Sequence, residues 1–509
     1  CIRDRSNISY LIQYGRIQKI GENGSTQVLK DDLKKYYQQN NNNKENRWKD
    51  KLGEDLNWTL SFAEFRESET TKHVHRLHPY KGKFIPQLVE YFLDAHTDSF
   101  KEETFFNKGD VVLDPFCGSG TTLVQANELG INAIGIDVSA FNAQISNSKV
   151  DVYDIKEIKE KAKNISEDLK RFIQKRNNTQ FEAELLEELK VFNSKNFPSP
   201  EFKYKVRQKL VNEKEYGKEK ENEFLSTYQK LIKKYQIELK QDSSESFLDK
   251  WFVKVVRDEI DFVFNEINKI SEDSLPTKRI LSIILSRTIR SCRATTHSDL
   301  ATLFEPQITT YYCKKHGKIC KPLFSINNWW NRYTKDTIKR LEQFNTLRTE
   351  TSQICLTGDS RNVNILEELE LKKPNLFKKI KKNKIDGIFS SPPYVGLIDY
   401  HEQHAYSYDL FGFERKDELE IGPLYKGQGK EARESYAIGI SEVLLNCKKH
   451  LKDDYNIFLV ANDKYGMYPK IAELSGMSIV NQYKRPVLNR VEKDRNAYSE
   501  IIFHLKEKS

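Results

Sequence analysis

No apolar run in this sequence approaches the roughly 18 residues that a membrane-spanning helix needs, so a membrane protein is not expected. Cysteine is sparse. Seven of them scattered over 509 residues do not make a disulfide framework, and they suit a reducing, cytoplasmic compartment. The first twenty residues intersperse charges without a continuous apolar segment, which argues against a secretory signal. The sequence opens at Cys1 rather than Met, so a fragment of a longer chain is allowed for. Charge of one sign is also lacking: 83 basic against 74 acidic residues leave a surplus of only +9, which permits a nucleic-acid partner without requiring one.

What is present is length enough for roughly two to four domains and a charged fraction of 31% that suits solvated helices. Residues 1–70 are polar, with an Asn-rich stretch at Gln38–Asn46, and read as an extension or linker. From Val111 the run VVLD, a glycine-rich turn, the helical TTLVQANELG closed by Gly130, and the strand-like INAIGID form a βαβ unit. Such a unit opens a doubly wound parallel sheet, here assigned to 71–150. Residues 151–350 are dominated, in their first hundred, by Lys, Glu, Asn and Gln with apolar residues at helical spacing, and read as a mainly helical insertion. Strand-like QICLTGD, IDGIFSSPPY, YNIFLVAND and SEIIFHL then resume the sheet in 351–509. The expected fold is therefore α/β with a large helical inserted domain.

Gly118 and Gly120, in the turn after Asp114, allow a ligand to approach the backbone at a helix N-terminus. Such turns also arise for steric reasons alone. Asp137, at the end of the second strand, is placed to accept hydrogen bonds from both hydroxyls of a ribose, or simply to start a loop. No Gly-Lys-Ser/Thr ending follows the turn, and position 123 is Leu where a dinucleotide fingerprint has Gly. A nucleoside without a phosphate tail fits better than a nucleotide.

The stretch Asp114-Pro115-Phe116-Cys117-Gly118-Ser119-Gly120-Thr121 resembles motif I of the amino-group DNA methyltransferases, the cytosine-N4 and adenine-N6 enzymes. His78-Pro79-Tyr80, continuing through Phe84 to Pro86, is similar to their motif X, and Ser391-Pro392-Pro393-Tyr394 to their catalytic loop. The resemblance covers roughly 75–150 and 353–505 and implies a Rossmann-like methyltransferase sheet that binds S-adenosyl-L-methionine. By it, motif X packs around the methionine part of the cofactor and Asp114 faces that part. Asp137 takes the ribose, Val138 flanks the adenine and Asp359 meets its amino group. It also implies double-stranded DNA as substrate, a restriction system with a cognate endonuclease, and a prokaryotic, nucleoid-associated setting.

The chemistry of the Ser391–Tyr394 loop follows from its residues. An exocyclic base nitrogen has its lone pair delocalised into the ring, so the enzyme must accept its hydrogens before the nitrogen can attack a sulfonium methyl. Consecutive prolines remove two amide donors and leave carbonyls as acceptors, which makes Ser391 Oγ and the Pro392 carbonyl the candidates. Tyr394 offers a face on which an extruded base can stack. In the family Ser at the first position favours cytosine over adenine, so cytosine N4 is the expected target. No Pro-Cys dipeptide is present to support a C5-methylating thiolate. Adenine-N6 methylation, an RNA amino-group methyltransferase and, outside enzymes, a non-catalytic nucleic-acid-binding regulator are the alternatives.

Tyr400, His401 and Tyr408 follow the loop as base-pocket, DNA-contact or core residues. The helical insertion is the expected target-recognition domain. There Arg287, Arg290 and Arg293 recur along one side of a helix, and Lys314 and Lys315 stand among tyrosines, a composition that suits phosphate and base-edge contacts or a solvated basic face. Cys313-x2-His316-x3-Cys320, with Cys292 or His297 as a fourth ligand, is a candidate zinc site, although its spacing departs from paired Cys-x2-Cys. Seven lysines in 372–384 read as a surface loop.

Overall fold

A computed structural model describes residues 44–296, 305–488 and 497–508, with short stretches at 11–12, 17–18, 20 and 27–34. Nine strands occur among them: β1 (Val111–Asp114), β2 (Asn132–Asp137), β3 (Tyr311–Cys313), β4 (Lys318–Cys320), β5 (Gln353–Thr357), β6 (Ile385–Ser390), β7 (Leu451–Ala461), β8 (Met477–Pro486) and β9 (Ser499–Glu507). Seven make one sheet in the order β5-β2-β1-β6-β7-β9-β8. The pairs from β5 through β7 are parallel, and β9 runs antiparallel to both β7 and β8.

The sequence explains why the parallel strands sit at the centre. VVLD is buried along its whole length, as a strand covered on both faces must be. Successive side chains divide between the two faces: Val112, Phe389 and Phe458 join one apolar cluster, while Val111, Leu113, Ile388 and Ile457 join the other. Strand order reverses between β1 and β6, with β2 on the far side of β1, and the loops leaving β1 and β6 therefore emerge side by side at the carboxyl edge.

The chain divides into two compact units. The sheet belongs to the unit formed by 45–164, 266–288 and 330–509; the other comprises 1–44, 165–265 and 289–329. The second unit is mainly helical, with helices Asn178–Asn196 and Glu213–Tyr235 and the short β3–β4 hairpin. These boundaries correct the sequence reading twice. Residues 45–70 are not linker, because Trp48, Leu56 and Leu60 are buried and Asn57 N donates to the Lys484 carbonyl on β8. The inserted unit is also smaller than 151–350, since 151–164, 266–288 and 330–350 belong with the sheet. Among the described residues no helix is long and apolar enough to cross a membrane.

The lysine-rich segment is likewise not a loop. It forms the helices Ile365–Lys372 and Pro374–Asn383, the latter burying Leu376 and Ile380 while Lys378, Lys381 and Lys382 face solvent. Since it leads into the start of β6, it lies at the amino edge of the parallel strands, opposite the edge from which the Ser391–Tyr394 loop leaves.

Buried polar contacts fix the first helix to the sheet. Asn127, fully buried near the end of the helix Thr121–Glu128, donates to Gln353 Oε1 at 2.6 Å and accepts from the Thr349 amide at 3.2 Å. Replacement with Ala strands those partners, a cost of ~1–3 kcal/mol. Asn127→Ala should lower the urea midpoint with an unchanged m-value; an unchanged midpoint would show that this network contributes nothing.

Candidate active site

At the end of β1 the chain turns sharply. Gly118 and Gly120 adopt φ values of +52° and +73°, and Gly120 caps the helix Thr121–Glu128. A Cβ at Gly120 would stand 2.9 Å from the Ser146 side chain, so the position is both conformationally and sterically reserved for glycine. Asp137, ending β2, clamps this turn: Oδ2 accepts the Gly118 amide at 2.8 Å, while Oδ1 accepts Ser139 N at 2.9 Å and Asn142 Nδ2 at 3.1 Å.

β6 is the neighbour of β1, and Ser390 Oγ donates to Asp114 Oδ1 at 2.5 Å. Burial pushes the carboxyls of Asp114 and Asp137 up to about 6 against the hydrogen bonds that favour their charged forms. Both carboxyls therefore ionise less readily than free aspartates.

These loops line one cleft of about 110 Å³. From the first half come Tyr80, Phe84, Pro115, Phe116, Gly118, Thr121, Asp137 and Val138; from the second come Asp359, Ser391, Pro393 and Tyr400. Tyr80 and Tyr400 stack with ring centroids 5.7 Å apart. Tyr400 therefore stands in the cleft with motif X rather than at a separate nucleic-acid surface. His78 is not part of the lining: fully buried, it hydrogen-bonds Ser286 Oγ at 3.0 Å and anchors the segment from behind. Pro79 carries the chain from that anchor to Tyr80, and its carbonyl lies 3.0 Å from His78 Nδ1.

Three other expected site residues are engaged by neighbours. Tyr394 donates its hydroxyl to Glu500 Oε1 at 2.7 Å and packs on the apolar cluster of one sheet face, outside the cleft lining, while Pro392 is buried. Asp359 lines the cleft with its carboxylate paired to Arg361 at 2.7 Å. Tyr408 is a core residue whose hydroxyl meets His401 Nδ1 at 2.6 Å and also Ser139 Oγ.

The arginine row divides. Arg287 is buried, paired with Asp336 at 2.6 Å and stacked on the Tyr333 ring, so it does not present its charge at a surface. Arg290 and Arg293 instead line a groove of about 1200 Å³ within the helical unit, with Lys190, Lys318, Lys321 and Trp329. Lys314 and Lys315 are exposed on the β3–β4 turn. Cys313, His316 and Cys320 come together, but buried Cys292 is not in their group and His297 lies outside the described residues.

Comparison with known proteins gives this arrangement its family. The DNA methylase model of the N6/N4 methyltransferases matches residues 7–148. The Type II methyltransferase M.MjaII of Methanocaldococcus jannaschii is 46% identical over 507 residues, which cover 98% of this chain and 93% of that protein. The chain belongs to the amino-group DNA methyltransferases. More local matches agree: the Type II methyltransferase M.MvaI of Kocuria varians is 32% identical over 100 residues, 20% of this chain and 21% of that protein, and M.BsoBI of Geobacillus stearothermophilus is 40% identical over 72 residues, 14% of this chain and 13% of that protein.

In this methyltransferase, sequence reasoning missed several groups of the cleft. Glu420 lines it with a carboxyl pushed up to about 8 by burial and by Asp399 and Asp417. Lys83 also lines it, its ammonium donating to the His75 carbonyl at 2.6 Å and lowered by burial to about 8. Glu420 lies in none of the motifs and Lys83 lies within motif X without an expected role, so only the folded chain brings them to the β1 and β6 loops. Ser390 was read past because the catalytic pattern begins one residue later. Gly120→Ala should weaken cofactor binding by at least about tenfold, through a strain cost of ~1–3 kcal/mol at the turn. Equilibrium dialysis with labelled cofactor checks this, and wild-type affinity would remove the steric account of Gly120.

Proposed function

We propose that the chain is a site-specific DNA methyltransferase that transfers a methyl group from S-adenosyl-L-methionine to N4 of an extruded cytosine. The observation that carries this reading is the shared cleft: the glycine turn with Asp137 and the Ser391–Pro393 segment line the same cavity although about 250 residues separate them. Family membership implies the donor. The cleft suits it chemically, offering carboxylates at Asp137 and Asp359 for hydroxyl and amino hydrogens and aromatic walls at Tyr80 and Phe116. Asp137 would take the ribose, Val138 and Asp359 the adenine, and Tyr80 and Phe84 the methionine end; Asp114, expected to face that end, is instead buried behind the cleft lining and held by Ser390.

When bound, the donor supplies an electrophilic sulfonium methyl. The chain's own part is to prepare the nitrogen. Ser391 Oγ and the Pro392 carbonyl accept the amino hydrogens, which draws the lone pair out of the ring toward the methyl. Tyr394, held through Glu500 just outside the cleft lining, is the expected stacking face for the extruded base. Ser391 supports cytosine over adenine, the alternative target. The groove lined by Arg290, Arg293, Lys318 and Trp329 suits contacts to phosphate and base edges, and supports the helical unit as the recognition element for double-stranded DNA. A cognate restriction endonuclease and a cytoplasmic, nucleoid-associated site of action in a prokaryotic cell accompany this reading.

The test is direct. Incubation with methyl-labelled donor and mixed-sequence DNA, followed by digestion to nucleosides, should yield labelled N4-methylcytosine; labelled N6-methyladenine would reassign the target, and label confined to RNA would reject DNA. Ser391→Ala should lower turnover by ~10²-fold while cofactor affinity holds within about twofold. Equal losses of both would deny Ser391 its role at the nitrogen.

A pH dependence follows from the raised carboxyls. Ribose hydroxyls donate to a charged Asp137, so donor affinity should rise as pH passes through about 6 and level off above it. The same groups act oppositely on stability. Their folded pKa values exceed the usual 3.8, so the unfolded chain binds fewer protons between roughly 4 and 6, and stability falls as pH rises across that window. Calorimetric titration of the donor checks the affinity curve, which Asp137→Asn should flatten.

A further inference from the structure

We propose that Cys313, His316 and Cys320 bind a zinc ion that locks the β3–β4 hairpin of the helical unit. The hairpin consists of two three-residue strands, too short to be stable by their pairing alone. Register places Cys313 opposite Lys318 and Tyr311 opposite Cys320, so the two cysteines are diagonal neighbours on one face. The turn returns the histidine to that face: the amides of His316 and Gly317 both donate to the Cys313 carbonyl, at 3.1 and 2.7 Å, with Gly317 at φ +63°. His316 Nδ1 then stands 3.4 Å from each sulfur, and the three donor atoms lie within 4.8 Å of one another.

That separation has a specific meaning. A tetrahedral zinc with Zn–S near ~2.3 Å and Zn–N near ~2.0 Å requires sulfur and nitrogen to be about 3.5 Å apart. Neither sulfur is tied up in a disulfide. Two thiolates and an imidazole select zinc over magnesium or calcium, whose ligands are oxygens. On binding, the two thiols give up their protons and coordinate as thiolates, and a solvent molecule or a further donor completes the fourth position.

The surroundings hold both strands of the hairpin: on β3 the Tyr312 amide donates to Glu221 at 2.9 Å and its hydroxyl to Glu213 at 3.0 Å. Asn193 brackets β4 by donating to the Ile319 carbonyl at 3.0 Å and accepting its amide at 2.9 Å. Lys321, which follows β4, is held by Glu182 at 2.5 Å. The turn that carries His316 is held through the Lys203 ammonium, which donates to the Lys315 carbonyl, and a metal would add a tie between the turn and both strands. A second cluster, His73, His75 and Glu128, is less suited to a cation, because Lys72 already pairs with Glu128 at 2.7 Å. The zinc-bound hairpin would fix His316, Lys318 and Cys320 at the wall of the basic groove.

The experiment uses the full chain, reconstituted with zinc sulfate, desalted, and measured by elemental mass spectrometry. About one zinc per chain is expected, falling to near zero in the Cys313→Ser, Cys320→Ser double variant. Cobalt(II) in place of zinc should give the strong visible absorption of a tetrahedral thiolate site, absent in the double variant. His316→Ala, which leaves both sulfurs and the strands intact, should weaken zinc binding by at least about tenfold; its thermal transition reports whether it is folded. Less than about a tenth of an equivalent in the wild-type chain, or equal zinc in wild type and double variant, would overturn the proposal. So would two thiols missing from titration of the denatured, unreduced chain, which would mark a disulfide. Metal content is read without methyl transfer, so the outcome is independent of the reading of the active site.

Discussion

The parallel pairing of β1 with β6, closed by the hydrogen bond from Ser390 to Asp114, is the contact on which the active site depends. These strands are more than 270 residues apart, yet Val112 opposes Gly387 and Leu113 opposes Ile388. Loops leaving two adjacent parallel strands at their carboxyl ends have to emerge together, and strand order reverses at this point. Slipping the register by one residue would turn Ser390 and Asp114 to opposite faces and separate the glycine turn from the Ser391 loop. The large apolar clusters on both faces of the sheet make such a slip costly.

Burial at this junction also sets its electrostatics. Burial raises the carboxyls of Asp114 and Asp137 to about 6, and burial with nearby Asp399 and Asp417 pushes Glu420 further still. Each carboxyl is nonetheless given donors: Ser390 for Asp114, and the Gly118 amide with Asn142 for Asp137. A site arranged this way is preorganised for hydrogen-bond donors on a ligand, because the acceptors are already desolvated and oriented. The Asp137 clamp on Gly118 links the end of β2 to the conformation of the glycine turn.

Much of this was legible in the sequence because the signals were local. The βαβ unit, the glycine turn and the Ser391–Tyr394 loop each lie within short windows whose periodicity and turn residues state their structure, and the order of strand-like segments was enough for an α/β sheet. What failed to show depended on long-range packing. Polar composition hid the burial of Trp48, Leu56 and Leu60, so residues 45–70 read as linker. Arg287 read as part of a basic stripe because its partner Asp336 is 49 residues further on. Tyr394 and Asp359 have the expected positions in the chain, but Glu500 and Arg361 hold their polar atoms, and nothing in the short motifs names those partners.

The helical unit shows the same limit from the other side. Its groove gathers Arg290 and Arg293 from the end of one helix, Lys318 and Lys321 from the hairpin and Trp329 from the start of another helix, a set with no sequence pattern of its own. A net charge of +9 spread over 157 charged residues could not have located it. Basic side chains outnumber acidic ones in its lining, where Glu187 pairs with Lys190 at 3.6 Å, Lys321 is paired with Glu182, and Lys318 stands exposed at the turn. In a chain so evenly charged, the composition of a groove is decided by which side chains the fold gathers rather than by an excess of base. That gathering depends on the tertiary placement of a short hairpin with only three backbone-paired residues per strand.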